Sequence, residues 1–201
     1  QFVLLGGDVT NSGDLLSMTL LKSILDSLNK PYYAVPGNHD KMKGDSIVRH
    51  FQSIFGSDKF HFHTKSFHII GFPTLPDSKR GGVRTQNNEL LWLDSILKLS
   101  LPNEKILAVT HYPLQKGDVD NYTQIIDVLK KYPLLAVLNG HYHRNMLLNY
   151  DEIPGIVNRS TLSVGTQQGG YNIYTLNDSL HVAEKILDTP LREWLALPIE
   201  Q

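Results

Sequence analysis

Four short apolar runs, each breaking off at a turn that carries Asp, Asn or His, constrain this chain more than any other feature. The runs are Phe2 to Gly6, Tyr32 to Val35, Ile106 to Thr110 and Leu134 to Asn139. Each is strand-sized, with the unbroken hydrophobicity of a strand covered on both faces. Between them lie segments with apolar residues at three and four spacings. Asp14 to Leu28 is expected to be helical on Leu16, Leu20, Leu21, Ile24, Leu25 and Leu28, with Ser12 or Asp14 as cap and Pro31 beyond its end. Further helices are expected at Asp45 to Phe55, Thr85 to Leu99 and around Thr123 to Lys131. In the segment beginning at Thr85, Leu90, Leu91, Leu93, Ile96 and Leu97 would face inward and Thr85 would cap. Phe60 to Phe72 holds one or two strands. After His143 the texture becomes consecutive strands: Met146 to Tyr150, Ile153 to Asn158, Thr161 to Val164, Gly170 to Leu176 and His181 to Ile186. Strands alternating with helices, then a run of strands, imply a mixed-sheet α/β architecture.

Composition narrows the class. At 201 residues and 41% hydrophobic, the chain suits one domain, residues 1–201, with a globular core. Its 19 basic residues against 20 acidic ones leave a net charge of −1, which lacks the electrostatic footprint of a general nucleic-acid binder. Cysteine is absent, which excludes disulfides, thiolate metal sites and thiol nucleophiles. No uncharged apolar run approaches the roughly 18 residues a membrane helix needs, so no membrane insertion is expected. Gln1 is followed at once by an apolar strand, and we expect a segment upstream of it in a longer protein.

The chemistry sits on the four turns. They are Gly7-Asp8, Gly37-Asn38-His39-Asp40, His111, and Gly140-His141-Tyr142-His143. Ligands of open α/β sheets bind beyond the carboxyl ends of the strands, so these turns deliver their side chains to one rim. Oxygen and imidazole donors without thiolate suit Zn²⁺, Mn²⁺ or Fe. Glycine lets the backbone approach closely where a metal or phosphate must sit. His141 and His143 are two apart, and in an extended segment they would face the same side. His61 and His63 share that spacing, but they alternate with Phe60 and Phe62 on a hairpin expected away from the rim. A structural role is assigned to them.

Gly7-Asp8, Gly37-Asn38-His39-Asp40, the Ala108-Val-Thr-His-Tyr-Pro113 segment and Gly140-His141-Tyr142-His143 together resemble the calcineurin-like metallophosphoesterase superfamily. The segment Thr85 to Leu97 is similar to the helix that precedes the third block in these proteins. The resemblance implies a four-layer αββα sandwich, two mixed β-sheets flanked by helices, with a two-metal centre of Mn, Fe or Zn. It implies that Asp8 bridges both ions, that Asn38, His111 and His141 complete one site, and that His143 binds the other ion. His39 would stand beside the scissile phosphate as general acid or charge stabiliser, Asp40 would shape its turn, and Arg144 could reach a phosphate oxygen. The implied activity is hydrolysis of a phosphomonoester or phosphodiester substrate by a metal-activated hydroxide.

Two departures qualify the expectation. Family members carry an Asp-x-His block upstream of Gly-Asp that supplies two more ligands to the ion of His143. Nothing here matches it, since the first Asp is Asp8. Either a preceding segment supplies it, which we favour, or the second ion keeps only Asp8 and His143 and its occupancy is in question. The second departure is Asn11, where protein Ser/Thr phosphatases have an Asp that orients the catalytic His. An Asn carbonyl accepts from the ring of His39 less strongly than a carboxylate. The alternatives to hydrolysis of small esters are a non-catalytic scaffold of the same fold and a nuclease of the same superfamily.

Overall fold

Parallel strands need a crossover between them, and the first forty residues supply one. The computed structural model describes residues 1–41, 48–64, 66–77, 81–165 and 168–199. β1 (Val3–Gly6), α1 (Leu15–Ser27) and β2 (Tyr32–Val35) form a β–α–β unit in which Val3 lies opposite Tyr32 and Gly6 opposite Val35. Asp14 caps α1, its carboxylate accepting from the Ser17 N–H at 2.8 Å. That N–H, with the Ser17 and Ser12 hydroxyls, holds the Asp14 carboxyl down to about 2. α2 (Arg49–Phe55) follows; the expected start of this helix, 45–47, lies outside the described residues.

β3 (Phe60–His63) and β4 (Phe67–Gly71) form an antiparallel hairpin. A two-residue pair, β5 (Leu75–Pro76) and β6 (Val83–Arg84), leads to α3 (Asn87–Leu97). Gln86, not Thr85, is the N-cap residue of α3. Thr85 is buried instead, its hydroxyl donating to the Pro73 carbonyl and its N–H to Asn121 Oδ1. A side chain spent on those partners is unavailable to the helix end. β7 (Lys105–Val109), α4 (Tyr122–Leu129), β8 (Leu134–Asn139), β9 (Met146–Tyr150) and β10 (Ile153–Val157) complete a six-stranded mixed sheet ordered β3-β4-β7-β8-β10-β9. Its four inner strands are parallel and its two outer pairings antiparallel. β11 (Gly170–Leu176), β12 (Ser179–Ile186) and β13 (Arg192–Pro198) form a separate antiparallel sheet.

Three apolar clusters order these elements into layers. Leu93 and Leu97 of α3 and Ile125, Ile126 and Leu129 of α4 pack on Ile70, Ile106, Ala108 and Val137 of the large sheet. The opposite face of that sheet, with Ile69, Leu107, Val109, Leu138 and Ile156, packs on Val35 of β2 and Leu180 and Val182 of β12. Met18 of α1 and Val48 and Phe51 beside and within α2 then cover Ala34 of β2. The order is helices, sheet, sheets, helices, the expected four-layer αββα sandwich.

Several local expectations fail for identifiable reasons. Thr161 to Val164 is not a strand; it is a bend leading to an isolated bridge. β13 was not anticipated, because its alternating pattern is interrupted by charge at Arg192 and Glu193. On α1 the inward face is carried by Met18 and Leu25, while Leu16, Leu20, Ile24 and Leu28 are exposed. Leu91 of α3 is likewise exposed.

Candidate metal centre

Every turn that was read as chemical lies at the carboxyl end of a parallel strand: Asp8 after β1, Asn38 to Asp40 after β2, His111 after β7 and His141 after β8. Parallel pairing within each sheet, and the packing of one sheet on the other, bring these ends to one rim. The approach is close enough to require glycine. A Cβ on Gly37 would stand 2.2 Å from Asp8 Oδ1, and one on Gly7 2.4 Å from His111 Nδ1. Backbone strain concentrates here too: Asp8 (φ 51°), His141 (φ 68°) and His143 (φ 56°) all adopt the left-handed conformation. The segment of His141 and His143 is therefore bent, not extended.

His111 is the pivot. It is 1% exposed, and its Nδ1 lies 2.8 Å from the Gly6 carbonyl. A carbonyl only accepts, so Nδ1 carries the proton and donates. Nε2 then faces Asp8 Oδ2 at 3.2 Å and Asn38 Oδ1 at 3.2 Å. In the neutral ring that nitrogen is a lone pair, and two oxygen lone pairs point at it. Such convergence of acceptors in a buried place calls for a cation. Donor atoms of Asp8, His111 and His141 lie within 4.8 Å of one another. The donor set Asp8, Asn38, His111 and His141 thus fits one divalent ion of the borderline class. For a second ion this sequence offers Asp8 with His143, which is exposed and outside that group. Two donors do not make a comparable site.

The electrostatics follow from the same contacts. Burial pushes the Asp8 carboxyl up; with the His111 ring protonated on both nitrogens, its hydrogen bond and charge, helped by the His39 N–H and ring, hold that carboxyl below the usual carboxylate range. Burial lowers His141, reinforced by His111. His39 is exposed; its main-chain N–H donates to Asp8 Oδ1 at 2.8 Å. His39 Nδ1 donates to the main-chain carbonyl of Asn11 at 2.9 Å. The side chain of Asn11 is therefore not what holds this ring, and replacing Asp by Asn there leaves that hydrogen bond intact. Asp40 is 1% exposed and accepts from the N–H groups of Gly37, Val9 and Thr10 and from the Thr10 hydroxyl. Burial raises its carboxyl against these donors. It ties the turn after β2 to the turn after β1. Arg144 lies at the rim over the Tyr142 ring, its Nε against Met146 Sδ.

Three supporting groups gave no sequence signal, because ordinary polar residues acquire their role only by contact. Asn139 is buried and donates to the carbonyls of Thr110 and Tyr112, joining the His111 and His141 turns, while Tyr150 donates to its Oδ1. Tyr112 packs on His141 with ring centroids 4.2 Å apart, and burial pushes its hydroxyl up to about 12. Asp118 accepts from Tyr142 and Gln115.

The sequence pattern described as calcineurin-like phosphoesterase matches residues 1–145. The chain belongs to that family. Among its curated relatives, a probable glycerophosphodiester phosphodiesterase GpdQ of Arcobacter nitrofigilis is 29% identical over 72% of this chain and 57% of its own length. A probable cyclic nucleotide phosphodiesterase of Ruthia magnifica is 29% identical over 88% of this chain and 77% of its own. The chain thus spans little more than half of the first relative and about three quarters of the second. In fold it is similar to GAP50, the anchor in the inner membrane complex of Plasmodium, with a TM-score of 0.61 at 11% identity over all of this chain and 79% of that one. A Vps29 variant from Entamoeba histolytica gives 0.50 at 12% identity over all of this chain and 83% of that one. The family description and the names of these relatives all refer to phosphoester chemistry.

Proposed function

We propose that this chain is a metal-dependent phosphoester hydrolase and that phosphodiesters are its first substrate class. The observation that supports the reading most is the meeting of His111 Nε2 with Asp8 Oδ2 and Asn38 Oδ1 while Nδ1 is held by Gly6. Two relatives named as phosphodiesterases favour diesters over monoesters.

Divalent ions, when bound, supply Lewis acidity toward phosphoryl oxygens and lower the pKa of water. Asp8, Asn38, His111 and His141 would hold one ion, and Asp8 with His143 would offer donors to another. His39 acts on the leaving group. With Nδ1 fixed on the Asn11 carbonyl, its Nε2 is the nitrogen left to carry a proton to the substrate. As the oxygen of water bonds to phosphorus and gives up one proton to solvent, the opposite P–O bond breaks, the Nε2 proton passes to the departing oxygen, and solvent returns a proton to His39. Arg144, at the rim, meets the non-bridging oxygens of the incoming phosphate. Asp40 and Asn139 position these groups through the turns they join.

The test is turnover by metal-stripped protein refilled with Mn²⁺, Zn²⁺ or Fe²⁺, using bis(p-nitrophenyl) phosphate and p-nitrophenyl phosphate. The diester should be hydrolysed faster, and only with metal. Absence of turnover with every ion contradicts metal-dependent catalysis by this chain; faster monoester turnover contradicts the choice of substrate class.

A further inference from the structure

The His-x-His of β3 forms a second cluster of imidazoles at the far end of the large sheet. On this strand Phe60 and Phe62 turn into the core between the sheets, so His61 and His63 emerge on the other face. In register, His63 lies opposite His68 of β4. His68 in turn lies opposite Ile106, near the start of β7, whereas His111 follows the end of that strand. The cluster is therefore at the opposite end of the sheet from the centre at Asp8.

Each ring is oriented by a partner. Both Glu104 oxygens lie 2.9 Å from His63 Nδ1, and Glu104 is only 4% exposed. The carboxylate accepts, so Nδ1 of His63 carries its proton and Nε2 is the free lone pair. His68 is fully buried, with Nδ1 2.7 Å from Ser100 Oγ and Nε2 3.3 Å from His61 Nδ1. The rings of His63 and His68 stack at 4.1 Å, and those of His61 and His68 meet edge-on at 5.4 Å.

We propose that His61, His63 and His68 bind one divalent ion of the zinc class, with Glu104 and Ser100 fixing the ligand rings. One donor nitrogen from each lies within 4.8 Å of the others. Tetrahedral Zn–N bonds of about 2.0–2.1 Å place ligand nitrogens about 3.3 Å apart. The His61–His68 pair already stands at that separation. His61 is exposed and its ring can turn from the surface; His63, pivoting on its Nδ1 contact with Glu104, must swing out of its stack on His68 to bring Nε2 to the ion. A buried carboxylate on the outer nitrogen of a ligand His is the arrangement that raises imidazole basicity at metal sites. Three protein donors leave a fourth position for water. The ion would fasten the edge strand β3 to β4.

The test is zinc stoichiometry of the full chain after chelation and equilibrium dialysis, measured by elemental analysis, with Co²⁺ absorption as a second reading. The double variant His61→Ala/His63→Ala should lose one equivalent while keeping its circular dichroism in chelator, with a lowered thermal midpoint because Glu104 loses its His63 partner. Glu104→Gln, or Ser100→Ala if the former misfolds, should weaken that equivalent by about 10- to 100-fold. Equal stoichiometry in the wild type and the double variant overturns the site. So does a lost equivalent insensitive to both orienting variants, because that marks an adventitious ion on exposed imidazoles. Asp8→Asn/His141→Ala separates this site from the other centre: it should leave the equivalent in place.

Discussion

At the residue scale, single atoms decide which side chains act and which only hold. His39 is exposed and tethered by Nδ1 alone, so His39→Ala should reduce turnover by about 10²–10⁴ with metal content unchanged. Comparison of kcat with bound metal checks this; normal turnover removes His39 from the reaction. Gly37→Ala should do the opposite kind of damage, because its Cβ would meet Asp8 Oδ1 at 2.2 Å. Bound metal and activity should fall together. His68 supplies a pH dependence. Burial, then the like charges of His63 and His61, lower its ring from 6.5 to about 4. Between those values the unfolded chain binds more protons than the folded one, so stability falls as pH drops from 6.5 toward 4. In the metal-free protein, urea midpoints at pH 7 and pH 4.5 should differ less in His68→Gln than in the wild type. Equal differences contradict this.

At the scale of elements, α1 separates periodicity from burial. Its leucines recur at helical spacing, yet Leu16 is 80% exposed while Met18 is fully buried. Met18→Ala should cost about 2–5 kcal/mol in urea unfolding, and Leu16→Ala within about 0.5 kcal/mol. The strands β1, β2, β7 and β8 were legible because continuous apolar runs ending in Gly, Asn or His have few other readings. So were the residues gathered at their ends, since Asp8, Asn38, His111 and His141 all fall on turns directly after those runs. The outward leucines of α1 were not, because a helix pattern records its period and not which side finds a neighbour. Asn139 and Asp118 were silent for the same reason: their roles are contacts between turns distant in sequence. The hydrogen bond that His39 Nδ1 donates to the main-chain carbonyl of Asn11 leaves no side-chain signature at position 11.

At the scale of the whole molecule, layering explains how Asp8, Asn38, His111 and His141 meet. The large sheet packs face to face on the β1–β2 pair and on the sheet of β11 to β13 through Val35, Leu107, Leu138 and Leu180, so the turns after β1 and β2 stand beside those after β7 and β8. A net charge of −1 lacks the overall electrostatic footprint of a general nucleic-acid binder. Supercoiled plasmid should therefore stay intact under conditions in which the aryl diester is hydrolysed; nicking at comparable rates contradicts this. The most direct measurement of the central claim is metal-restored hydrolysis of bis(p-nitrophenyl) phosphate by the stripped wild type and His111→Ala, both in the His61→Ala/His63→Ala background. Mn²⁺ should restore turnover to the wild-type centre and fail to restore it in His111→Ala. Equal turnover in both, or none in either, contradicts a centre built on His111.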